Sequence, residues 1–305
     1  MIQKAIPTQV AEIKELWNIC FLSEDKRYTD YYFQNLFDCD NCLVYVLDGK
    51  VISSLIRAPH SFVLHGKVLR SSMILGVCTH PDYRHQGYMK KLLQTALDAC
   101  EHTELITLIQ AYQPALYEPF GFRMIYRRLA FELNAGDLPR TNQFGLSYDP
   151  KPLDLLKVYS VYIKHFNGFY ARDLSYFVKY RKEIIAQGGK IVAYYDGQDQ
   201  IQGYASLLPQ SNKQVVVEEI VYLDTHCLIK LINAAALEKE NIIVEVSGAE
   251  DLCHIFPKAK KKNYDSTMAR LNAADLFSKL YGRNVKTVEE AFGLYKKPLN
   301  LNEFA

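Results

Sequence analysis

The stretch "THPDYRHQGYMKKLL", residues 79–93, joins the end of an apolar strand, a short turn and the start of a helix. The run "MILGV" before it (73–77) predicts a buried strand, and Pro81 ends that strand because proline donates no backbone hydrogen bond. The first N–H groups of a helix lack partners and carry the positive end of its dipole. With Gly87 opening the helix and Arg84 beside it, the stretch predicts a pyrophosphate site.

Two familiar phosphate-binding patterns do not fit this turn. A nucleotide-hydrolysing P-loop needs Gly-Lys-Ser/Thr, and no such triplet follows the turn. The three spaced glycines of a dinucleotide-binding fingerprint are absent as well. The turn therefore represents another class of phosphate site.

Hydrophobic periodicity on either side of the turn predicts a mixed α/β fold. The first half reads as α-α-β-β-β-α-β-α-β, with Asp48-Gly49 as a hairpin turn and a helix between two parallel strands. Residues 134–145, "NAGDLPRTNQFG", are rich in turn formers and predict a linker. The following residues, to about 265, repeat the α-α-β-β-β-α-β order more weakly, and a tail follows them.

Length and composition agree with a two-domain globular protein. The chain has 305 residues, 49% of them hydrophobic and 23% charged. Its 36 basic and 34 acidic side chains leave a net charge of only +2, which argues against a protein that coats nucleic acid. The N-terminus lacks the features of a signal peptide, and no apolar run is long enough to cross a membrane. We therefore expect a cytoplasmic protein without a membrane partner.

The seven cysteines are scattered and odd in number, which disfavours a disulfide framework. "CDNC", residues 39–42, has the spacing of a zinc or redox pair but lacks a second pair, so two incidental cysteines at a turn are the better interpretation. No metal site is expected, because His80 and His85 have no third ligand at a recognised spacing. The basic run "KAKKK" (258–262) is interpreted as a solvated loop rather than a site for an anionic partner.

The residues of the turn resemble a known family. "VCTHPDYRHQGYMKKLL" is similar to the acetyl-CoA signature of the GNAT acyltransferases, Arg/Gln-x-x-Gly-x-Gly/Ala, with Met89 in place of the last small residue. "YQPALYEPFGF" (112–122) resembles the family's second signature. The chain as a whole resembles the Eis (enhanced intracellular survival) type of N-acetyltransferase, which has a competent first unit, a degenerate second unit and a C-terminal segment beginning like "MARL". Members of that group usually carry a longer third domain, of which at most a remnant is present here.

The resemblance implies two tandem GNAT folds and transfer of an acetyl group from acetyl-CoA to a primary amine by direct attack. It divides the chain into a catalytic domain at 1–135, a second, degenerate domain at 146–265 and a short C-terminal segment at 266–305. The residues implied to bind the coenzyme are Val77, Cys78, Thr79, Arg84, His85, Gln86, Gly87, Tyr88, Met89, Tyr112 and Gln113.

The resemblance also implies the catalytic groups. Tyr117 takes the place of the general acid, since a phenol is protonated at neutral pH and can deliver a proton to the leaving thiolate; a core tyrosine is the alternative. The terminal carboxylate of Ala305 is implied as the base, with a frayed tail and a water relay as alternatives. Asp25 and Asp30 could attract a cationic amine, or could be surface carboxylates, and Glu118 is interpreted as a turn residue.

The second unit lacks Arg-x-x-Gly after its strand "VYLDTHCLIK", so it is expected to shape the acceptor pocket and subunit contacts without binding coenzyme. Self-association into a homo-oligomer follows from the resemblance. Two other functions stay open: an inactive CoA-binding scaffold or sensor, and a tandem aminoacyl transferase that uses charged tRNA. The intact Arg84-x-x-Gly87 turn and the near-neutral charge disfavour the last. The acceptor amine, whether an aminoglycoside, a polyamine or a lysine, is not determined.

Overall fold

The computed structural model describes residues 1–302, which form a mixed α/β fold and confirm the predicted fold class. The described helices are α1 (Val10–Cys20), α2 (Lys26–Asn35), α3 (Tyr88–Glu101), α4 (Pro152–Tyr162), α5 (Leu174–Ala186), α6 (Thr225–Glu238), α7 (Ala274–Tyr281) and α8 (Val288–Phe292). The described strands are β1 (Ile2–Lys4), β2 (Cys42–Leu47), β3 (Lys50–Leu64), β4 (Lys67–Thr79), β5 (Ile106–Gln110), β6 (Arg123–Asn134), β7 (Leu146–Ser147), β8 (Gly168–Tyr170), β9 (Lys190–Tyr195), β10 (Ile201–Pro209), β11 (Gln214–Tyr222), β12 (Asn241–Ser247), β13 (Lys260–Leu271) and β14 (Leu299–Asn300). None of the helices in this part of the chain is long and apolar enough to cross a membrane.

The chain divides into two compact units, each built from separate stretches of sequence. Unit 1 contains residues 1–125 and 266–296, and unit 2 contains residues 126–265 and 297–302. These limits differ from the predicted boundaries at 135, 146 and 266. The predicted C-terminal segment is divided between the two units instead of standing alone.

Unit 1 is built on one sheet with the strand order β1-β2-β3-β4-β5-β13. All neighbours are antiparallel except β4 and β5, which are parallel and connected by α3. The two hairpins turn at Asp48-Gly49 and His65-Gly66, where both residues of each turn have φ between 49° and 79°. Such turns match the twist of antiparallel strands, which explains why the Asp-Gly signal predicted the first of them correctly.

The long β3–β4 hairpin supports the C-terminal part of unit 1. The Phe62 and Phe292 rings stack with centroids 6.3 Å apart, and the Tyr281 hydroxyl donates to the Leu64 carbonyl at 2.7 Å. His65 Nε2 lies 2.9 Å from the Ala291 carbonyl oxygen. Helices α7 and α8 are therefore part of the first unit's core.

In each unit, the strand at one end of the sheet order comes from the other half of the sequence. Strand β6 follows β5 in the chain, but its residues 128–134 pair with β12 in unit 2. Strand β13 follows β12, but its residues 267–271 pair with β5 in unit 1. The two sequence repeats therefore do not correspond to two contiguous folding units.

Unit 2 has the strand order β6-β12-β11-β10-β9-β7, in which β11 and β12 are parallel and the other neighbours are antiparallel; off this path, β14 pairs with β8 in parallel. Its two faces carry separate apolar cores. One contains Leu228 and Leu231 of α6, and the other contains Leu155 of α4 and Phe177 of α5. Helices on both faces of a sheet with one parallel pair repeat the plan of unit 1, as predicted from the sequence echo.

A β-bulge in β4 is fixed by a close approach of Trp17. The register between β3 and β4 shifts between Ser54 and Ile56, opposite Gly76 of β4. Gly76 has φ +58°, and a Cβ atom there would lie 2.3 Å from a ring carbon of the buried Trp17 indole. Only glycine meets both conditions, because other residues strain at positive φ and their side chain would collide with the ring.

We expect Gly76→Ala to destabilise the protein by about 3 kcal/mol or more, since backbone strain and overpacking act together. Gly49→Ala is the matched control: its φ is +79°, but no atom lies within 4 Å of the added Cβ. It should cost only about 1 kcal/mol of strain. Urea unfolding measures both values, and equal costs would contradict the packing of Trp17 on Gly76.

Candidate functional site

The candidate site of unit 1 begins where β4 and β5 separate. Their parallel pairing runs from Ser71↔Ile106 to Ile74↔Ile109 and then ends, while β4 continues to Thr79. The bulge at Gly76 coincides with this separation. Residues 75–79 therefore remain paired on the β3 side and have an edge that the β5 ladder does not use. An extended ligand can hydrogen-bond to such an edge as a strand would.

The turn after β4 presents an uncapped helix N-terminus. Gly87 is the N-cap of α3 with φ +81°, and no side chain caps the helix there. His85 also has a positive φ of 62°, and residues 84–87 are exposed. A Cβ at Gly87 would meet no atom within 4 Å, so the space in front of the helix is open. Exposed N–H donors at the positive end of a helix dipole suit a phosphate group.

Arg84 ties this turn to the end of β4. Its Nε donates to the Thr79 carbonyl at 3.1 Å, and its Nη2 lies 3.8 Å from Cys20 Sγ. Arg84 is exposed and lies three residues before Gly87 in the chain. The predicted residues Thr79, Arg84 and Gly87 are thus brought together by the structure.

The side chains of several other predicted coenzyme residues make contacts within the protein. The Tyr88 ring packs edge-on against Tyr45, with centroids 4.7 Å apart, and Met89 packs on the core of α3. Gln86 donates to the Asp82 carbonyl at 3.2 Å. Val77 lies in β4 beyond its pairing with β5, and Gln113 follows β5 as the N-cap of the 3-10 turn Pro114–Leu116.

Tyr117 is buried next to the separated end of β4. It is 8% exposed and packs edge-to-face against Phe122 at 6.3 Å. Burial, with a smaller contribution from the nearby Cys78, raises the pKa of Tyr117 to about 12. The phenol is therefore protonated at neutral pH, which a general acid requires.

A half-buried carboxylate that the sequence analysis missed lies close to Cys78. Glu24 accepts hydrogen bonds from Trp17 Nε1 at 2.6 Å and from the Tyr112 hydroxyl at 3.5 Å. Burial raises the pKa of Glu24, and the two donors counteract this only partly. Its charge in turn contributes to the raised pKa of Cys78, so the two groups are near each other.

Aromatic rings surround Glu24. Trp17 lies 5.2 Å from Phe21, and Phe21 lies 5.8 Å from the exposed Tyr112. Trp17 also stacks on Tyr32 at 5.5 Å. No local motif marks this arrangement in the sequence. Only the aromatic-rich stretch 28–37 indicated that α2 belongs near the acceptor side.

The two aspartates that were predicted to attract an amine are engaged elsewhere. Asp25 caps α2 and pairs with Arg27 at 2.6 Å, and Asp30 pairs with Lys14 at 2.7 Å. These contacts favour the alternative interpretation of both as surface carboxylates. Glu118 is exposed at the start of a 3-10 turn, as expected of a turn residue.

Unit 2 lacks both features that suit the turn of unit 1 to a phosphate group. The helix N-terminus that corresponds to Gly87 is capped by Asp224, whose carboxylate accepts from the Cys227 N–H at 2.8 Å. A capped terminus with a negative charge repels phosphate. The capped helix agrees with the absence of an Arg-x-x-Gly sequence after the corresponding strand of unit 2.

The gap between β11 and β12 in unit 2 is filled by the chain itself. Ser247 donates to the Leu299 carbonyl at 2.9 Å, and Leu301 is fully buried. Asn300 and Asn302 line one small polar cavity with residues 219–221 of β11 and 245–247 of β12. The tail therefore occupies the space in unit 2 that corresponds to the gap between β4 and β5. The predicted base, the carboxylate of Ala305, lies outside the described residues.

Two further predictions concern residues away from the site. In "KAKKK", Lys258 pairs with Asp137, Lys261 with Asp251 and Lys262 with Glu132, so this basic run is largely neutralised. Part of it belongs to β13 rather than to a loop, because the strand begins at Lys260. Within the described residues, no group of three His, Cys, Asp or Glu side chains is arranged to hold a metal ion.

Comparison with known proteins matches the first part of the chain to a family. Residues 1–125 match the family described as acetyltransferase (GNAT) domain. This match confirms the predicted enzyme class, an acetyltransferase. A search of curated proteins finds no match.

Solved structures share the fold over most of the chain. A GCN5-related N-acetyltransferase from Anabaena variabilis is 17% identical with a TM-score of 0.75, over 93% of this chain and 75% of that one. A probable N-acyltransferase from Enterococcus faecalis is 16% identical (TM-score 0.74; 89% and 72% covered). Eis1 from Mycobacterium abscessus is 14% identical (TM-score 0.69; 93% and 76% covered). At these identities the likeness concerns the fold, which extends beyond the GNAT domain into unit 2.

Proposed function

We propose that the protein transfers an acetyl group from acetyl-CoA to a primary amine in unit 1. The observation that carries this proposal is the open N-terminus of α3 at Gly87, preceded by the exposed Arg84 and by the end of β4, whose edge β5 no longer pairs. Helix N–H donors and an arginine suit a diphosphate, and an unpaired strand edge suits the amide-bearing arm of coenzyme A. In unit 2, Asp224 caps the corresponding helix N-terminus, and the tail fills the corresponding gap between the strands.

The catalytic steps can be assigned to side chains next to the free edge of β4. Glu24 binds the acceptor ammonium and takes a proton from it, so that the neutral amine attacks the thioester carbonyl. Its raised pKa makes it a stronger base than an ordinary carboxylate, and the aromatic rings around it exclude water. Backbone N–H groups at the edge of residues 75–79 stabilise the oxyanion, and Tyr117 returns a proton to the leaving thiolate.

This assignment adds Glu24 to the carboxylate of Ala305 that the family resemblance implies. Glu24 has an observed environment: two hydrogen-bond donors, partial burial and a position beside Cys78. The acceptor is a cation before it reacts, and a carboxylate among aromatic rings is suited to a cation. A small or extended amine therefore fits this site better than an anionic acceptor does.

Calorimetric titration with coenzyme A tests the proposal directly. We expect Arg84→Gln to weaken binding about ten-fold, because it removes one charged hydrogen bond to the diphosphate. Arg140→Gln, at an exposed arginine of unit 2, should leave binding unchanged. Absence of any coenzyme binding by the unaltered protein would refute the proposed function.

Tyr117→Phe is expected to lower kcat by about 100-fold or more while coenzyme A binding persists, since only the donated proton is lost. Tyr126→Phe is the matched control, because Tyr126 is also buried, with a pKa raised to about 12 by burial, but belongs to unit 2. Steady-state acetyl transfer to a panel of aminoglycosides, polyamines and lysine peptides measures both. An unchanged kcat in Tyr117→Phe would assign Tyr117 to the core alone.

Glu24→Gln should reduce kcat/KM for the amine by about 100-fold, because the amide neither attracts an ammonium group nor accepts its proton. The unaltered enzyme should lose kcat/KM as the pH falls through the pKa of Glu24, and should do so at a higher pH than an ordinary glutamate would dictate, because burial raises that pKa. Asp30→Asn is the control, as Asp30 forms an exposed ion pair on α2. Equal activity of both variants would remove Glu24 from the mechanism.

A further inference from the structure

The two carboxylate oxygens of Glu24 each accept one hydrogen bond from an uncharged aromatic side chain. Oε2 accepts from the Trp17 indole N–H at 2.6 Å, and Oε1 accepts from the Tyr112 hydroxyl at 3.5 Å. A carboxylate offers about four acceptor positions, so about two stay available on Glu24 after these bonds. One ammonium group, which has three N–H donors, can use both of them.

Glu24 is one of five acidic residues between positions 10 and 35, together with Glu12, Glu15, Asp25 and Asp30. Asp25 and Asp30 form ion pairs with basic side chains at 2.6 and 2.7 Å. Glu12 accepts from a backbone N–H of β3 at 2.7 Å, and Glu15 is exposed. Among the described residues of this stretch, Glu24 alone has its carboxylate bonded to aromatic side chains, and the place beside them therefore carries one negative charge.

Apolar groups that the protein leaves uncovered lie next to this carboxylate. The Glu24 N–H donates to the Phe21 carbonyl at 3.2 Å, so both residues belong to one turn, and the Phe21 ring lies 5.8 Å from the Tyr112 ring. Tyr112 is 74% exposed, and Leu22, which follows Phe21 in the turn, is 87% exposed. A few polar groups set in aromatic and aliphatic surface are typical of a site for a small ligand with an apolar body.

We infer, on the basis of the proposed function, that the acceptor is a primary amine with a single positive charge and an apolar aryl or alkyl body. Glu24 binds the ammonium group, and the rings of Phe21 and Tyr112 contact the carbon skeleton next to it. A second ammonium group, as in a polyamine or an aminoglycoside, would lie against apolar side chains without a carboxylate. Removal of such an unpaired charge from water is costly, so polycations are the poorer substrates.

Acetyl transfer to two amines of equal length tests the charge requirement. Hexylamine and hexamethylenediamine differ only in the second amino group at the far end of the chain. We expect kcat/KM for hexylamine to exceed that for the diamine by about ten-fold or more, with phenethylamine at least as good as hexylamine. A diamine, an aminoglycoside or a lysine peptide that reacts faster than both monoamines would overturn the inference.

Tyr112 tests the requirement for an apolar body, because it is exposed and its replacement should leave the fold intact. In Tyr112→Ala the ratio of kcat/KM for phenethylamine to that for ethylamine, which lacks the large apolar body, should fall about ten-fold. Tyr112→Phe keeps the ring and should keep the ratio. Tyr148→Ala, at an exposed tyrosine of unit 2, is the matched control and should leave it unchanged.

The same variants separate this role of Tyr112 from the coenzyme contact that the family resemblance implies. A lost coenzyme contact would raise KM for acetyl-CoA to the same extent with either amine, and would leave the ratio between the amines unaltered. A ratio that stays constant in Tyr112→Ala would therefore remove Tyr112 from the recognition of the acceptor.

Amine binding can also be measured without any acetyl transfer. The chain has one tryptophan, Trp17, and its indole donates to Glu24, so its fluorescence reports on a ligand at this carboxylate. Titration with phenethylamine should change the emission at concentrations about ten-fold lower than hexamethylenediamine requires. Glu24→Gln should weaken the phenethylamine response about ten-fold or more, because the amide carries no charge.

The two measurements distinguish a failure of the proposed function from a failure of this inference. If the proposed function is wrong, no amine is acetylated, but the fluorescence titration still ranks phenethylamine above the diamine. If the inference is wrong, acetyl transfer proceeds and the diamine, the aminoglycoside or the lysine peptide is preferred in both measurements.

Discussion

The packing of the Trp17 indole on Gly76 is the contact on which the architecture of unit 1 depends. It accounts for the glycine, for its positive φ and for the bulge that coincides with the end of β5 pairing. The same indole donates to Glu24, so one side chain connects the opened strand with the carboxylate beside it. In the proposed mechanism, one buried ring thus positions both the backbone donors for the coenzyme and the base for the amine.

The two units show how a duplicated fold can keep or lose a ligand site through few changes. In unit 1 a glycine leaves the helix N-terminus open, and the pairing of β4 with β5 ends at Ile74 while β4 continues. In unit 2 an aspartate caps the helix, and the residues of β14 fill the space beside the separated strands. The Arg172–Glu219 ion pair, almost fully buried, lies in this filled region and serves packing instead of binding.

The sequence was sufficient to predict what depends on local patterns. Periodicity located the helices and strands, Asp48-Gly49 predicted a hairpin, and the Arg84-x-x-Gly87 turn marked the uncapped helix. It could not predict the exchange of β6 and β13, because the repeats look contiguous and strand pairing is a long-range property. Glu24 escaped prediction for the same reason, because it gains its environment from Trp17 and Tyr112, which lie elsewhere in the sequence.

The exchanged strands also bear on how this chain is synthesised. Strand β5 borders an open sheet edge until residues 267–271 emerge near the far end of the polypeptide. The N-terminal half therefore leaves the ribosome with an unpaired, apolar strand exposed, a known starting point for aggregation. The sheet of unit 1 is complete only after residue 271 has been synthesised, and a chain that stops earlier leaves β5 without its neighbour on that side.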